Sequence, residues 1–257
     1  MTRIRRAVLL AAVALLAAAH PAGAVQHVVS LNLCTDQLLV LLAPDKIAAL
    51  SPLARDPALS FVAAQAATLP VVRPSAEAVL RLHPDLVLAA PYGAQSVLAI
   101  LQEDGVPVLR AALPADFPGI RAETRLLARR LGAEARGEAL IAAMDATLDA
   151  VPKRSRRVTA LAWEPRYFTA GPGSLMDALL RAAGLSNLSD GRQVGLEALL
   201  RHPPDLLVVP AAPDYPSLAT DMLQNPVLRS IRHRSLPPAL TLCAGPFSAL
   251  AVKDLAR

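Results

Sequence analysis

The chain of 257 residues is 54% hydrophobic and carries a formal net charge of +5, enough material for one large domain or two lobes with separate cores. Arg3, Arg5 and Arg6 supply three of those charges; beyond residue 24 the net charge falls to +2, which removes the compositional motive for nucleic-acid binding. Apolar runs after residue 24 are short and broken by many of the 23 prolines, a pattern that excludes membrane-spanning helices there.

Residues 1–24 read as a signal peptide: a basic "MTRIRR", an apolar "AVLLAAVALLAAAH" and a small-residue "PAGA" that offers cleavage after Ala24. No cysteine follows the cut directly, so a protein released into the periplasm without a lipid anchor is expected. Residues 25–117 form an N-terminal lobe, with strands expected at 27–31, 47–50, 86–90 and 107–111 and a helix at 36–43. Residues 118–151 are a helical connector that breaks at Gly132, and its second half is long enough, at about 1.5 Å per residue, to bridge two lobes. Residues 152–257 form a C-terminal lobe. It opens with a strand at 158–163, continues with a helix at 173–185 capped by Ser174 and Asp177, and ends with strands at 206–210 and 239–243. Strands alternating with helices specify an α/β fold of two lobes, each with a central, mainly parallel sheet flanked by helices and joined by a long interlobe helix.

One segment occurs twice. "SAEAVLRLHPDLVLAAP" (75–91) returns as "GLEALLRHPPDLLVVPAAP" (195–213), with Glu77 and Glu197 each eight residues before Asp85 and Asp205. Both copies read as a short helix, a proline stop and a buried strand, so they mark equivalent units of two similar lobes. A carboxylate in a first helical turn is mildly favoured by the dipole, which accounts for the residue type but not for its recurrence on the surface of both lobes.

The chain has one Trp, three Tyr and four Phe. Tyr92, Phe117, Trp163, Tyr167, Phe168, Tyr215 and Phe247 lie in or beside segments that follow expected strands, where open α/β sheets bind ligands. Cys34 and Cys243 each follow a strand as well. In an exported protein a disulfide is the default for two cysteines, but thiols touching a metal-containing ligand and unpaired buried cysteines remain open. The candidate ligand contacts are therefore Cys34, Tyr92, Trp163, Tyr167, Tyr215, Cys243 and Phe247. Arg55, Arg110 and Arg166 stand where they could meet an anionic ligand.

No nucleophile elbow, zinc-protease helix, C-x-x-C pair or phosphate loop is present, so no catalytic residue, metal site or resident cofactor is expected. His83 and His202 precede helix-ending prolines, His233 reads as solvated, and "GPGS" (171–174) reads as a helix cap.

With "VVSLNLCTDQLLVLLA", "SAEAVLRLHPDLVLA", "FTAGPGSLMDALLRAAGLSNL" and "GLEALLRHPPDLLVV" assembled, the chain resembles the periplasmic substrate-binding proteins of ABC importers for cobalamin and iron chelates, closest to the cobalamin branch. The resemblance implies a monomeric receptor, not an enzyme, that captures cobalamin or a related corrinoid between its lobes. A ferric siderophore or haem is the alternative, and an exported enzyme using the cleft the distant one. It also implies that Glu77 and Glu197 dock onto the membrane subunits of the importer, and that lobe movement about the connecting helix is limited.

Overall fold

The computed structural model describes residues 25–211 and 225–257; the expected signal peptide and Tyr215 lie outside these. In the first lobe the order is β1 (Val28–Ser30), α1 (Leu33–Leu42), β2 (Ile47–Ala49), α2 (Ala63–Ala66), α3 (Ala76–Leu80), β3 (Leu86–Ala89), α4 (Gln95–Glu103) and β4 (Val108–Arg110). The strands are parallel, in the order β2-β1-β3-β4. Two connector helices follow, α5 (Phe117–Leu131) and α6 (Glu134–Asp149). The second lobe has β5 (Val158–Ala162), α7 (Leu175–Ala182), β6 (Leu185–Asn187), α8 (Leu196–Arg201), β7 (Leu206–Pro210), β8 (His233–Leu236), α9 (Pro238–Thr241) and α10 (Ser248–Ala256). Its parallel sheet runs β6-β5-β7-β8, the same order as the first.

That shared order explains the repeated segment. Its two copies are α3–β3 and α8–β7, equivalent units beside the central strand of each sheet. The Pro-Asp pair has a structural role in both. The Asp85 carboxylate accepts from the backbone N–H groups of Gln26 and His27, each at 2.9 Å, just before β1. The Asp205 carboxylate accepts from the N–H and hydroxyl of Thr159 in β5, at 2.7 and 2.8 Å. Each aspartate thus ties the start of one strand to its neighbour and satisfies donors that the sheet leaves open.

The connector breaks where glycine permits it: Gly132 ends α5 with φ of 62°, a left-handed cap costly for other residues. Gly137 of α6 sits so close to α5 that a Cβ there would lie 2.6 Å from the Ala128 Cβ. Arg121 pairs with Asp145 at 2.6 Å and Arg125 with Glu138 at 2.7 Å along the same seam. The same buried face of α6 carries Ile141 and Met144 into a cluster with Phe117 and Ile120 of α5 and second-lobe residues such as Ala160, Leu180 and Val252. First-lobe side chains Leu33, Cys34, Leu41, Leu59 and Phe61 join that cluster, so the lobes share apolar core on one flank.

Several elements differ from the sequence reading. Residues 239–243 do not form a strand: Pro238 occupies the first turn of α9, and Pro237 ends the preceding strand, β8. β8 escapes an apolar pattern because it is an edge strand paired only with β7, so His233 and Ser235 stay exposed. The other edge strand, β6, was hidden at the end of the helical segment 173–185. Helix α1 begins earlier than residue 36, because the Asn32 side chain caps it by accepting from the Cys34 N–H at 2.9 Å.

Candidate ligand-binding cleft

Cys34 and Cys243 form a disulfide, with S–S 2.05 Å and Cα atoms 5.2 Å apart. Cys34 lies in the first turn after β1 and Cys243 just past α9, which follows β8. The cystine therefore draws the carboxyl edges of the two parallel sheets toward each other, and it leaves no thiol to bind a metal. A small hollow beside it is lined by Asn32, Thr35, Ala90, Ala111 and Leu113 from the first lobe and Ala244 from the second.

Exposed apolar surface concentrates along these edges. Of eleven large apolar side chains exposed among the described residues, seven follow a strand's carboxyl end: Leu53, Tyr92, Leu113, Tyr167, Phe168, Leu188 and Leu242. Exposed apolar residues scattered singly are ordinary, whereas a collection on facing edges marks a binding surface.

The loop after β5 is held by a bridge and by hydrogen bonds to a neighbouring loop. Trp163 and Thr169 bridge as antiparallel partners, and the Glu164 N–H donates to the Phe168 carbonyl at 2.8 Å. Between them Arg166 and Tyr167 hold φ of 61° and 69°, left-handed geometry that costs about 1–3 kcal/mol per non-glycine residue unless the surroundings impose it. They are imposed from the β6–α8 side: Gln193 Nε2 donates to the Arg166 carbonyl at 3.2 Å, and the Val194 N–H to the Tyr167 carbonyl at 2.8 Å. The result presents Tyr167 and Phe168 to solvent, 43% and 45% exposed, with the Arg166 guanidinium 5.8 Å over the Phe168 ring. Glu164 reaches the surface here, yet desolvation raises its carboxyl above the usual range.

Two expected ligand contacts are core residues instead. Trp163 is 1% exposed, packs with Leu161, Leu199 and Val209, and donates its indole N–H to the Val194 carbonyl at 2.7 Å. A large ring with one donor was satisfied inward, so Trp163 supports Tyr167, 5.8 Å away, from beneath. Phe247 is 5% exposed and stacks on Phe61 across the lobe boundary, ring centroids 4.8 Å apart. It faces a groove shared with Leu140, Ala143 and Met144 of α6, on the connector side. Phe117, noted among the strand-end aromatics, is buried at the start of α5. Tyr92 is 78% exposed on the turn after β3, where Gly93 and Ala94 both have positive φ. The strand-end aromatics left exposed among the described residues are thus Tyr92, Tyr167 and Phe168. Leu53, Leu113, Leu188 and Leu242 join them as exposed aliphatic side chains at strand ends, a residue type the sequence reading did not weigh beside its aromatics, cysteines and arginines.

Polar groups divide between the two edges. Arg110, the last residue of β4, is exposed at the carboxyl edge, and Arg192 pairs there with Asp190 at 3.1 Å. Arg55 donates to the Leu69 carbonyl at 2.5 Å and so holds its own loop. The described histidines lie at the opposite edge: His27, His83 and His202 precede strands, and His233 begins β8. No group of three or more His, Cys, Asp or Glu suited to a metal ion occurs among the described residues. Below the first-lobe edge, Asp36 is buried; it accepts from the Ser51 N–H at 3.1 Å and hydroxyl at 2.5 Å, and burial pushes its carboxyl up to about 7. Glu77 and Glu197 are exposed at the second position of α3 and α8, Glu77 pairing with Arg81 at 3.2 Å.

A family profile described as "Periplasmic binding protein" matches residues 28–232. Among curated proteins none matches. Among solved structures, the periplasmic haem-binding protein HutB of Vibrio cholerae aligns at a TM-score of 0.74 and 16% identity, over 90% of this chain and 97% of its own. The periplasmic haem-binding protein RhuT of Roseiflexus sp. RS-1, in apo form, gives 0.72 and 23%, over 90% and 97%. An ABC-type Fe3+-hydroxamate transport protein of Saccharomonospora viridis gives 0.67 and 20%, over 91% and 92%. At these identities the likeness is one of fold.

Proposed function

The chain belongs to the periplasmic binding protein family, non-catalytic receptors that hand small ligands to ABC importers, and on that premise we propose that its cleft takes haem or a closely similar planar ferric chelate. The carrying observation is the set of exposed apolar side chains on the facing carboxyl edges, Tyr92, Tyr167 and Phe168 among them, with the described histidines all at the other edge. A flat macrocycle buries its faces against such side chains, and its carboxylates suit Arg110 and Arg192. Tyrosine is an accepted haem-iron ligand, and it is the type this cleft offers from Tyr92 and Tyr167. The haem-binding and ferric-hydroxamate descriptions of similar folds favour an iron chelate over the cobalamin suggested by the sequence resemblance. The same reading assigns Glu77 and Glu197 to contacts with the two membrane subunits, where paired charges set orientation more than affinity.

Titration of the purified protein with haemin, cyanocobalamin and a ferric hydroxamate, followed by absorbance, tests this. Haemin is expected to bind saturably, and Tyr92→Phe or Tyr167→Phe to weaken it at least about tenfold. Saturable cyanocobalamin binding without haemin binding would restore the corrinoid reading, and hydroxamate binding alone would make the protein a siderophore receptor.

A further inference from the structure

The amino edge of the second sheet carries a separate feature. A cavity of about 610 Å³ opens there, lined by Lys153, Arg154, Arg156, Arg157 and Arg181, with Asp149 as its acidic lining residue. We propose that it is a binding site for a multiply charged, phosphate-bearing anion, distinct from the interlobe cleft.

The location separates the two sites. Residues 152–157 lead into the first residue of β5, and Arg181 and Gly184 precede β6, so the cavity lies at the strand ends remote from the cystine and the cleft aromatics. The volume is that of an ordinary small-molecule site.

Two of the five cations are fixed before any ligand arrives. Arg154 donates from Nε to the Ala183 carbonyl at 3.1 Å and from Nη2 to the Leu255 and Ala256 carbonyls at 3.1 and 3.3 Å. These carbonyls close α7 and α10, so the guanidinium sits at the negative ends of two helices. Gly184, whose φ of 72° favours glycine, packs against the Arg154 stem. Arg157 Nε donates to the Ser186 hydroxyl at 2.9 Å. Arg154 keeps its Nη1 donors, and Arg157, held through Nε alone, keeps the Nη1 and Nη2 fork for the paired oxygens of a phosphate.

The surrounding acids do not balance the cations. Asp177 stands 3.7 Å from Arg181, whose side chain is 74% exposed, a separation beyond a hydrogen bond. Asp205 is committed to Thr159, whose hydrogen bonds lower its carboxyl more than the nearby charge of Arg156 does. Lys153, Arg156 and Arg157 are therefore opposed within the lining by Asp149 alone. Val151 and Pro152 also border an adjoining groove of about 310 Å³ lined by Ala146, Ala150 and Ala256, room for an apolar substituent on the anion.

The phosphate could belong to a soluble oligophosphate or to a lipid headgroup, and the test separates these. The full protein is titrated calorimetrically with sodium tripolyphosphate at low and moderate salt, and sedimented with phosphatidylcholine vesicles with and without phosphatidylglycerol. The variant is Lys153→Ala with Arg156→Ala, neither of which makes the carbonyl bonds that hold Arg154. The control, Arg129→Ala with Arg130→Ala, removes equal charge from the end of α5. Saturable tripolyphosphate binding, weakened at least about tenfold in the variant and little changed in the control, is expected, with haemin titration unaltered. Sedimentation that depends on phosphatidylglycerol and is lost only in the variant assigns the phosphate to a lipid; its absence beside tripolyphosphate binding assigns a soluble anion. Failure of both probes to bind, or equal loss in variant and control, overturns the site. Because haemin is read separately, loss of this site and loss of the cleft assignment are told apart.

Discussion

Asp36 is a carboxyl kept from water and answered only by hydroxyl and amide donors, so the folded chain prefers its acid form. Its carboxyl titrates near 3.8 when free and at about 7 when folded, and between those values the folded chain holds a proton that the unfolded chain releases. Stability must therefore fall as pH rises through that window and level off above it. Glu123, also raised by desolvation against a bond from the Ala112 N–H at 3.0 Å, acts in the same direction. Asp36→Asn should flatten most of that slope and melt higher than the parent at pH 8. Melting curves from pH 5 to 8 check it, and an unchanged slope in the variant would refute the assignment. This device was illegible in the sequence, because nothing in "LCTDQLL" says that Asp36 turns inward to meet Ser51, fifteen residues on. Trp163 taught the converse. Its place at the end of β5 was readable, but the direction of its ring depended on Val194, thirty-one residues away, offering a carbonyl.

At the scale of elements, the repeat was the most readable feature, since a helix stop and a buried strand are both written locally. Its recurrence correctly implied matching sheets, and the structure adds the reason for its aspartates. Glu77 and Glu197 have no comparable internal role and lie exposed at equivalent positions of α3 and α8. Glu77→Ala with Glu197→Ala should leave haemin affinity within about twofold and weaken association with the importer at least about tenfold, measured by pull-down on reconstituted membrane subunits. Loss of ligand binding with association intact would reverse their assignment. Edge strands are the elements least legible in the sequence. β6 and β8 each pair on one side only, so neither needs the apolar alternation that identifies a strand, and an apolar "ALTLC" after two prolines drew the assignment instead. Exposed strand-end leucines are hidden for a similar reason, because aliphatic residues there look like core until the opposing edge is in view.

Across the whole molecule, the lobes are joined three times: by the connector, by apolar packing that includes the Phe61–Phe247 stack, and by the cystine. Replacing both cysteines by serine should lower the unfolding free energy by about 2–5 kcal/mol, read from denaturant curves, while the small-angle scattering profile in native buffer stays unchanged. A loss below about 1 kcal/mol would mean that the other two connections already do its work.

The cystine also orders events in the life of the chain. Its partners are 209 residues apart and are the only two cysteines, so mispairing within one molecule is impossible. A chain threaded across a membrane from its N-terminus delivers Cys34 to the oxidising side long before Cys243. The early thiol must wait, exposed to partners in other molecules, until nearly all of the second lobe has crossed. For an exported chain, oxidation would thus be a late step of maturation, following β8 and α9 and preceding α10. A variant lacking only Cys243 would carry that waiting thiol permanently, making a covalent dimer its natural by-product.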